Sequence, residues 1–293
     1  MIEEIKKMFK DCRIIETHIS WVVLTGEFAY KVCKPVNFGF LDFSTLEKRK
    51  EQCEKEMKVN SLMSPDLYLG VVPLGESGEY AIKMKQMDND RIMTKLITSG
   101  EVGEKEVKEI AVMTAGFHGR TETVADNYTN VAFNWQENFE QTEDFKEQVE
   151  DFDLIKGYVF DFLKEKKELM KKRAEEGKIK VCHGDLHSGN IFITDKIYIF
   201  DAITFNKRFV ETDVAEDIAF MAMDLEFLGR NDLSEVFVSE YINLTGDKEL
   251  MFLIDFYKCY RAYVRGKVMC FQKNFDEAKK YFKLALEYAH SLG

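Results

Sequence analysis

Residues 181–205 read VCHGDLHSGNIFITDKIYIFDAITF, and this stretch decides the fold. Polar side chains able to do chemistry sit here between short β-prone runs. His183, Asp185, His187 and Asn190 share one loop, entered by a predicted strand Ile179–Cys182 and left by a predicted strand Ile191–Thr194. A further strand, Ile197–Phe200, ends directly at Asp201. If the last two strands form a hairpin, Asp201 returns beside Asn190. Two carboxylates and a carboxamide are then expected around one small volume.

That donor set suits phosphoryl transfer with a divalent cation. Mg²⁺ takes oxygen ligands, commonly one or two carboxylates with phosphate oxygens and waters. One carboxylate must stay off the metal, to orient the attacking hydroxyl and accept its proton. Asp185 is assigned that catalytic role, and Asn190 and Asp201 the metal. The five-residue step from Asp185 to Asn190 matches the catalytic loop of protein kinases. Asp201 stands where their second metal aspartate stands, with Ala202-Ile203 in place of Phe-Gly. A surface loop plus a turn aspartate is the plain alternative, and the flanking strands favour the functional reading. His-x-Asp-x-His can also ligate zinc. Only His18, His118 and His290 remain, however, and none recurs at ligand spacing.

Upstream the pattern is strand-like: Arg13–Glu16, Ser20–Thr25, Phe28–Cys33, Val71–Leu74 and Tyr80–Met87, with Gly26-Glu27 as a tight turn. One helix, over 44–63, interrupts the strands; Ser44-x-x-Glu47 is a capping-box candidate and Pro65 stops it. Beyond residue 88 apolar spacing of three and four predicts helices Glu104–His118, Asp144–Ala174, Asp213–Leu228, Leu233–Thr245, Glu249–Gln272 and Phe275–Leu292. The acidic stretch Glu137–Asp153 reads as a solvated helix face with its preceding loop. The expected class is α+β. A small antiparallel-sheet N-lobe (1–87) is expected to precede a mainly helical C-lobe (88–293) that holds the 181–205 motif. Ligand is expected in a cleft between lobes.

Composition narrows the partners. The chain has 293 residues, 45% apolar and 32% charged, which excludes disorder and a disulfide-dense miniature. Its net charge of −11 argues against nucleic acid as a main partner. Residues 1–88 hold 13 basic and 14 acidic side chains, so the acidic surplus falls after residue 88. The start lacks a long apolar core, and the longest apolar runs fall far short of the ~20 residues a membrane span needs. The six cysteines contain no CxxC pair and lie mostly in apolar segments, which points to reduced thiols in a cytoplasmic protein.

HGDLHSGN with IFDAITF downstream resembles the aminoglycoside phosphotransferase-like kinases, which share the protein-kinase fold. The closer likeness is to an uncharacterised branch with segments such as THISWVVLTGEFAYKVCKPVNFGFLDFSTLEKR and CYRAYVRGKV. In that branch a P-loop kinase-like half often follows. No GxxxxGK[ST] occurs in this sequence, so that half is expected to be absent. The resemblance implies that the N-lobe binds nucleotide and the C-lobe carries the catalytic and metal loops, with Lys31 meeting the α and β phosphates of ATP and Glu56 as its ion-pair partner. It places Thr17, His18 and Ser20 in the loop over the phosphates, without the GxGxxG of protein kinases. It makes Met84, Gln86 and Met87 the hinge against adenine. His183 braces the catalytic loop, and Asp217 is the helix acid that hydrogen-bonds it from beneath.

Several assignments have competitors. Lys34 rivals Lys31 from the opposite strand face. Glu54 rivals Glu56. His187 can meet backbone or substrate, and His118 reads as a capping or core histidine. Arg261, Arg265 and Lys267 read as salt-bridge partners of the acidic helices rather than as substrate ligands.

The expected function is an ATP- and Mg²⁺-dependent phosphotransferase acting on a hydroxyl of a small molecule. The acidic surplus favours a cationic acceptor. The alternative is a nucleotide-binding regulatory module, pseudokinase-like, without turnover. A protein-substrate kinase is disfavoured because no APE signature follows Asp201.

Overall fold

A computed structural model of the chain describes residues 5, 8–9, 12–39, 41–75, 78–125 and 128–293. It divides into two compact units. One comprises Met1–Leu96 with Gly189–Lys207, and the other Ile97–Ser188 with Arg208–Gly293. The 181–205 motif is therefore shared between them.

The first unit is built on a five-stranded antiparallel sheet. Its strands are β1 (Arg13–Glu16), β2 (Ser20–Leu24), β3 (Phe28–Cys33), β4 (Tyr68–Leu74) and β5 (Glu79–Lys85), in the order β1-β2-β3-β5-β4. Gly26 takes φ 95° in the β2–β3 turn, a conformation that favours glycine. Alternation splits β3 between two cores. Val32 packs with Val23, Leu74 and Ala81 on one face. Cys33 packs with Ile82 and with Cys53 of helix α1 (Leu46–Asn60) on the other. Lys31, two residues from Cys33, shares the helix face.

Helix α1 is capped by Thr45, whose Oγ1 accepts from Lys48 N–H at 3.3 Å, and not by Ser44. The Ser44 hydroxyl instead donates to Asp42 Oδ1 at 2.6 Å, which removes it from the predicted capping box. Buried Arg49 fastens α1 to β5, with Nε donating to Glu79 Oε2 at 2.9 Å. The hairpin of the motif consists of strands Ile191–Ile193 and Ile197–Ile199, with Ile191 opposite Ile199.

The second unit is mostly helical. Its principal helices are Glu104–Arg120, Val214–Phe227, Asn231–Thr245, Ile254–Phe271 and Phe275–His290. Phe117, Trp135, Phe220, Phe237, Phe256 and Phe282 are fully buried among them. Gly266 lets the last two helices approach: a Cβ there would lie 2.7 Å from the Phe282 ring.

Two expectations fail here. The predicted helix Asp144–Ala174 is a 3₁₀ turn Glu143–Gln148 followed by helices Phe152–Glu165 and Lys167–Glu175. Asp151, at φ 51°, breaks the chain before the first of these helices. Part of the supposed solvated stretch is a helix, Tyr128–Thr142, that buries Val131, Trp135 and Phe139. Strand Ile179–Val181 pairs with Glu211–Asp213, a partner that the sequence does not indicate.

The helix Val214–Phe227 is buried on every side from Val214 to Leu225. Its acids survive there because each has a partner. Glu216 Oε1 lies 2.7 Å from an Arg261 guanidinium nitrogen. Asp224 accepts from Ser188 N–H at 2.8 Å. Asp217 accepts from the His183 and Gly184 amides. The fully buried Arg173 spans Asp213 and Asp247 with four hydrogen bonds of 2.7–2.9 Å. Among the described residues no helix is long and apolar enough to cross a membrane, and all six cysteines are free thiols.

Candidate active site

In the first unit three elements meet at one amine. Strand β3 supplies Lys31, helix α1 supplies Glu56, and Asp201 comes two residues after the strand Ile197–Ile199. Lys31 Nζ lies 2.7 Å from Glu56 Oε1 and also bonds Asp201 Oδ1. Burial alone would push the Lys31 ammonium toward its neutral form. Asp201 and Glu56 outweigh that and hold its pKa well above the ordinary lysine value. Lys34 faces elsewhere, onto Glu16 at 2.6 Å and the Thr17 carbonyl.

Asp201 is held by its backbone. It adopts φ 63°, a left-handed conformation that a non-glycine residue keeps only when its surroundings impose it. Its N–H donates to the Tyr68 hydroxyl at 3.2 Å, and the next N–H, of Ala202, donates to Asn60 Oδ1 at 2.9 Å. Ser64 brackets Ile199, donating to its carbonyl at 2.8 Å and accepting its N–H at 2.9 Å. Asn190 is buried, and its carbonyl accepts the Phe200 N–H at 3.0 Å, one residue before Asp201. The Asn190 carboxamide and Asp201 carboxylate supply oxygen donors of the kind Mg²⁺ takes.

The Thr17–Ser20 segment closes on itself. Thr17 Oγ1 accepts from Ser20 N–H at 2.9 Å, and Ser20 is buried at the head of β2, while Thr17 and His18 are exposed. Met84 lies within β5, opposite Ala29 and Tyr68. Gln86 is committed to the β2–β3 turn: its N–H donates to the Glu27 carbonyl at 3.0 Å, and its Oε1 accepts from Gly26 N–H at 2.8 Å. Gln86 and Met87 line a cavity of about 620 Å³ with Phe28, Leu69, Asp195 and Tyr198, but neither Lys31 nor Asp201 lines it.

The second unit holds the loop that carries Asp185. Asp217, fully buried, accepts from His183 N–H at 2.6 Å and Gly184 N–H at 2.8 Å. His183 is buried, and its Nδ1 accepts from Asp185 N–H at 3.2 Å. Asp185 Oδ2 lies 3.5 Å from His187 Nε2. Burial would raise the Asp185 pKa, but His187, then His183 and Arg261, outweigh it and hold the carboxyl below the ordinary range. The same pair raises His187 against the opposing pull of burial. Arg261 also stacks on Phe220, 4.6 Å from the ring centre. Lys267 meets amides rather than acids, at 2.5 Å from Asn138 and 2.6 Å from Gln141, and burial lowers its pKa to about 8.

Sequence reasoning missed the supports. Asn60, Ser64 and Tyr68 hold Asp201 and its strand, Asp224 holds Ser188, and His118 bonds Asp217 at 3.1 Å. Asn60, the last residue of α1, and Ser64, just ahead of Pro65, carried no distinctive signal.

No protein-family model matches the chain. An uncharacterized protein of Mycobacterium tuberculosis and one of Mycobacterium bovis are each 34% identical over 268 residues, which is 87% of this chain and 54% of each relative. The chain spans about half the length of these curated relatives. Among solved structures, the GDP complex of wild-type aminoglycoside 2′-phosphotransferase-IIIa aligns with TM-score 0.60 at 11% identity, over 99% of this chain and 96% of that one. A choline/ethanolamine kinase family protein from Mesorhizobium loti gives 0.59 at 10% identity, over 98% and 89%. A glucosamine kinase gives 0.60 at 13% identity, over 97% and 78%. Such identities establish fold alone. The fold is the protein-kinase-like one, with a small antiparallel-sheet N-lobe and a mostly helical C-lobe.

Proposed function

We propose that the chain is an ATP-dependent phosphotransferase that moves the γ-phosphoryl group to a hydroxyl of a small molecule. The observation that carries the reading is the Lys31 amine held jointly by Glu56 and Asp201. An ammonium fixed between two carboxylates from separate elements is poised to trade one of them for phosphate oxygens. A solvated lysine needs no such frame.

In this reading Asp185, kept ionised by His187 and Arg261, orients the acceptor hydroxyl and takes its proton as the new O–P bond forms. Lys31 bonds the α and β phosphates, so charge leaving on the β-phosphate oxygen meets a fixed cation. Asn190 and Asp201 would hold Mg²⁺, which when bound neutralises charge on the triphosphate. Asp217 keeps the loop backbone in place so that Asp185 does not pay orientation entropy at each turnover. The acidic surplus after residue 88 supports a cationic acceptor, an amine-bearing alcohol or amino sugar.

ADP release measured against amino alcohols, amino sugars, neutral sugars and anionic sugars tests the proposal. It predicts acceptor-dependent release with at least one amine-bearing alcohol, lost in Lys31→Met. Turnover confined to neutral or anionic sugars would remove the charge argument. Nucleotide binding without release for every acceptor would favour the regulatory-module reading.

A further inference from the structure

The loop that carries Asp185 is held from beneath by a buried relay whose far end is a tyrosine. Tyr241, 1% exposed on the helix Asn231–Thr245, places its hydroxyl 2.8 Å from His118 Nδ1. His118 Nε2 lies 3.1 Å from Asp217 Oδ2. Asp217 in turn takes both loop amides, those of His183 and Gly184.

A neutral imidazole carries one proton, and what each nitrogen faces decides which one bears it. Burial would favour the neutral acid at Asp217, but His118, His183 and the Gly184 N–H outweigh it and keep the carboxylate. A bare Nε2 lone pair against that carboxylate would be repelled, so Nε2 bears the proton. Nδ1 is then an acceptor, and the Tyr241 hydroxyl is its donor. Burial holds that hydroxyl above the ordinary tyrosine range, so its proton stays. His118, Cys182 and Asp217 also lie close enough to suggest a cation site, within 4.8 Å of one another. Their atoms are already engaged, however: Cys182 Sγ faces the Thr212 carbonyl at 3.5 Å, and both His118 nitrogens are hydrogen-bonded.

We propose that Tyr241 is a positioning residue for the catalytic loop, holding the His118 ring through Nδ1 so that its Nε2–H stays on Asp217 and Asp217 keeps hold of the His183 and Gly184 amides. Its kinetic consequence rests on the phosphotransfer reading above. Its structural consequence does not.

Long-range ¹H–¹⁵N correlation spectra of the full chain read the His118 tautomer directly, and hydrogen exchange reads the two loop amides. Wild type should show the Nε2–H form. Tyr241→Phe should keep that form, which Asp217 sets, but leave Nδ1 an unsatisfied buried acceptor and exchange the His183 and Gly184 amides about tenfold faster. Its kcat should fall about tenfold while KM for ATP stays within about twofold. Tyr263→Phe is the control. It deletes another buried hydroxyl, 2.5 Å from Thr142 Oγ1, that does not touch His118, and it should change none of these. A wild-type His118 protonated at Nδ1, or at both nitrogens, overturns the proposal without any variant. Equal loop protection in the two variants overturns it as well. Absence of transfer in wild type, with tautomer and exchange as stated, would sink the phosphotransfer reading and leave the positioning role intact.

Discussion

Glu56→Gln removes a charge from beside Lys31 while keeping the side chain's shape and an acceptor oxygen. Glu56 is 4% exposed and its Oε1 is 2.7 Å from Lys31 Nζ. At that separation and an effective dielectric near 20, the gross attraction is ~6 kcal/mol. Desolvation of the two ions offsets much of it, and removing one partner of a buried pair costs about 3–5 kcal/mol. Asp201 remains as a counter-charge, but its side chain is 45% exposed and its attraction is the more screened. Because that counter-charge remains, the lower end applies, and we expect a loss of about 3 kcal/mol. Hydrogen exchange of the α1 amides reads that loss within the first unit alone. Calorimetric titration should show ATP affinity reduced about tenfold, since Lys31 then closes on Asp201 in place of phosphate. A loss under ~0.5 kcal/mol with unchanged ATP affinity would refute the reasoning, because it would make Glu56 a bystander.

Other consequences are equally checkable. Arg173→Met leaves Asp213 and Asp247 buried without their common cation, so thermal unfolding should report about 3–5 kcal/mol of lost stability; a change under ~1 would contradict the network's role. The pKa of His187 is raised by Asp185, so their pairing contributes fully below about pH 6.5 and is lost as pH climbs through the higher folded value. Losing that proton frees Asp185 as a base, so kcat should rise with pH along that limb; a limb that persists in His187→Gln would assign it elsewhere. Gly266→Ala gains up to ~1 kcal/mol of helix propensity but drives a methyl against Phe282, a cost of about 1–3 kcal/mol, so net destabilisation is expected, with recovery in Gly266→Ala/Phe282→Leu.

The sheet was largely legible because alternation is local. Arg13–Glu16 and Phe28–Cys33 fall at their predicted bounds, since both are short runs closed by turn residues. The helix Tyr128–Thr142 was hidden by Glu137 and Glu140, whose charge masks the stripe of Val131, Trp135 and Phe139. The pairing of Ile179–Val181 with Glu211–Asp213 joins segments some thirty residues apart, and nothing in either segment names its partner. Spacing alone singled out Asp185, Asn190 and Asp201. Choosing between Lys31 and Lys34 required knowing which face of β3 meets α1, a tertiary fact. Tyr241 lay beyond reach, because a lone tyrosine on an amphipathic helix reads as core until its hydroxyl is seen against His118.

The most direct test is single-turnover transfer by Asp185→Asn, measured beside ATP affinity on the same preparation. The carboxamide keeps the loop's shape but cannot accept the acceptor's proton. The account predicts ATP binding within about threefold of wild type and a transfer rate lower by at least ~10³. Transfer at the wild-type rate, or loss of nucleotide binding with turnover per bound ATP unchanged, would contradict it.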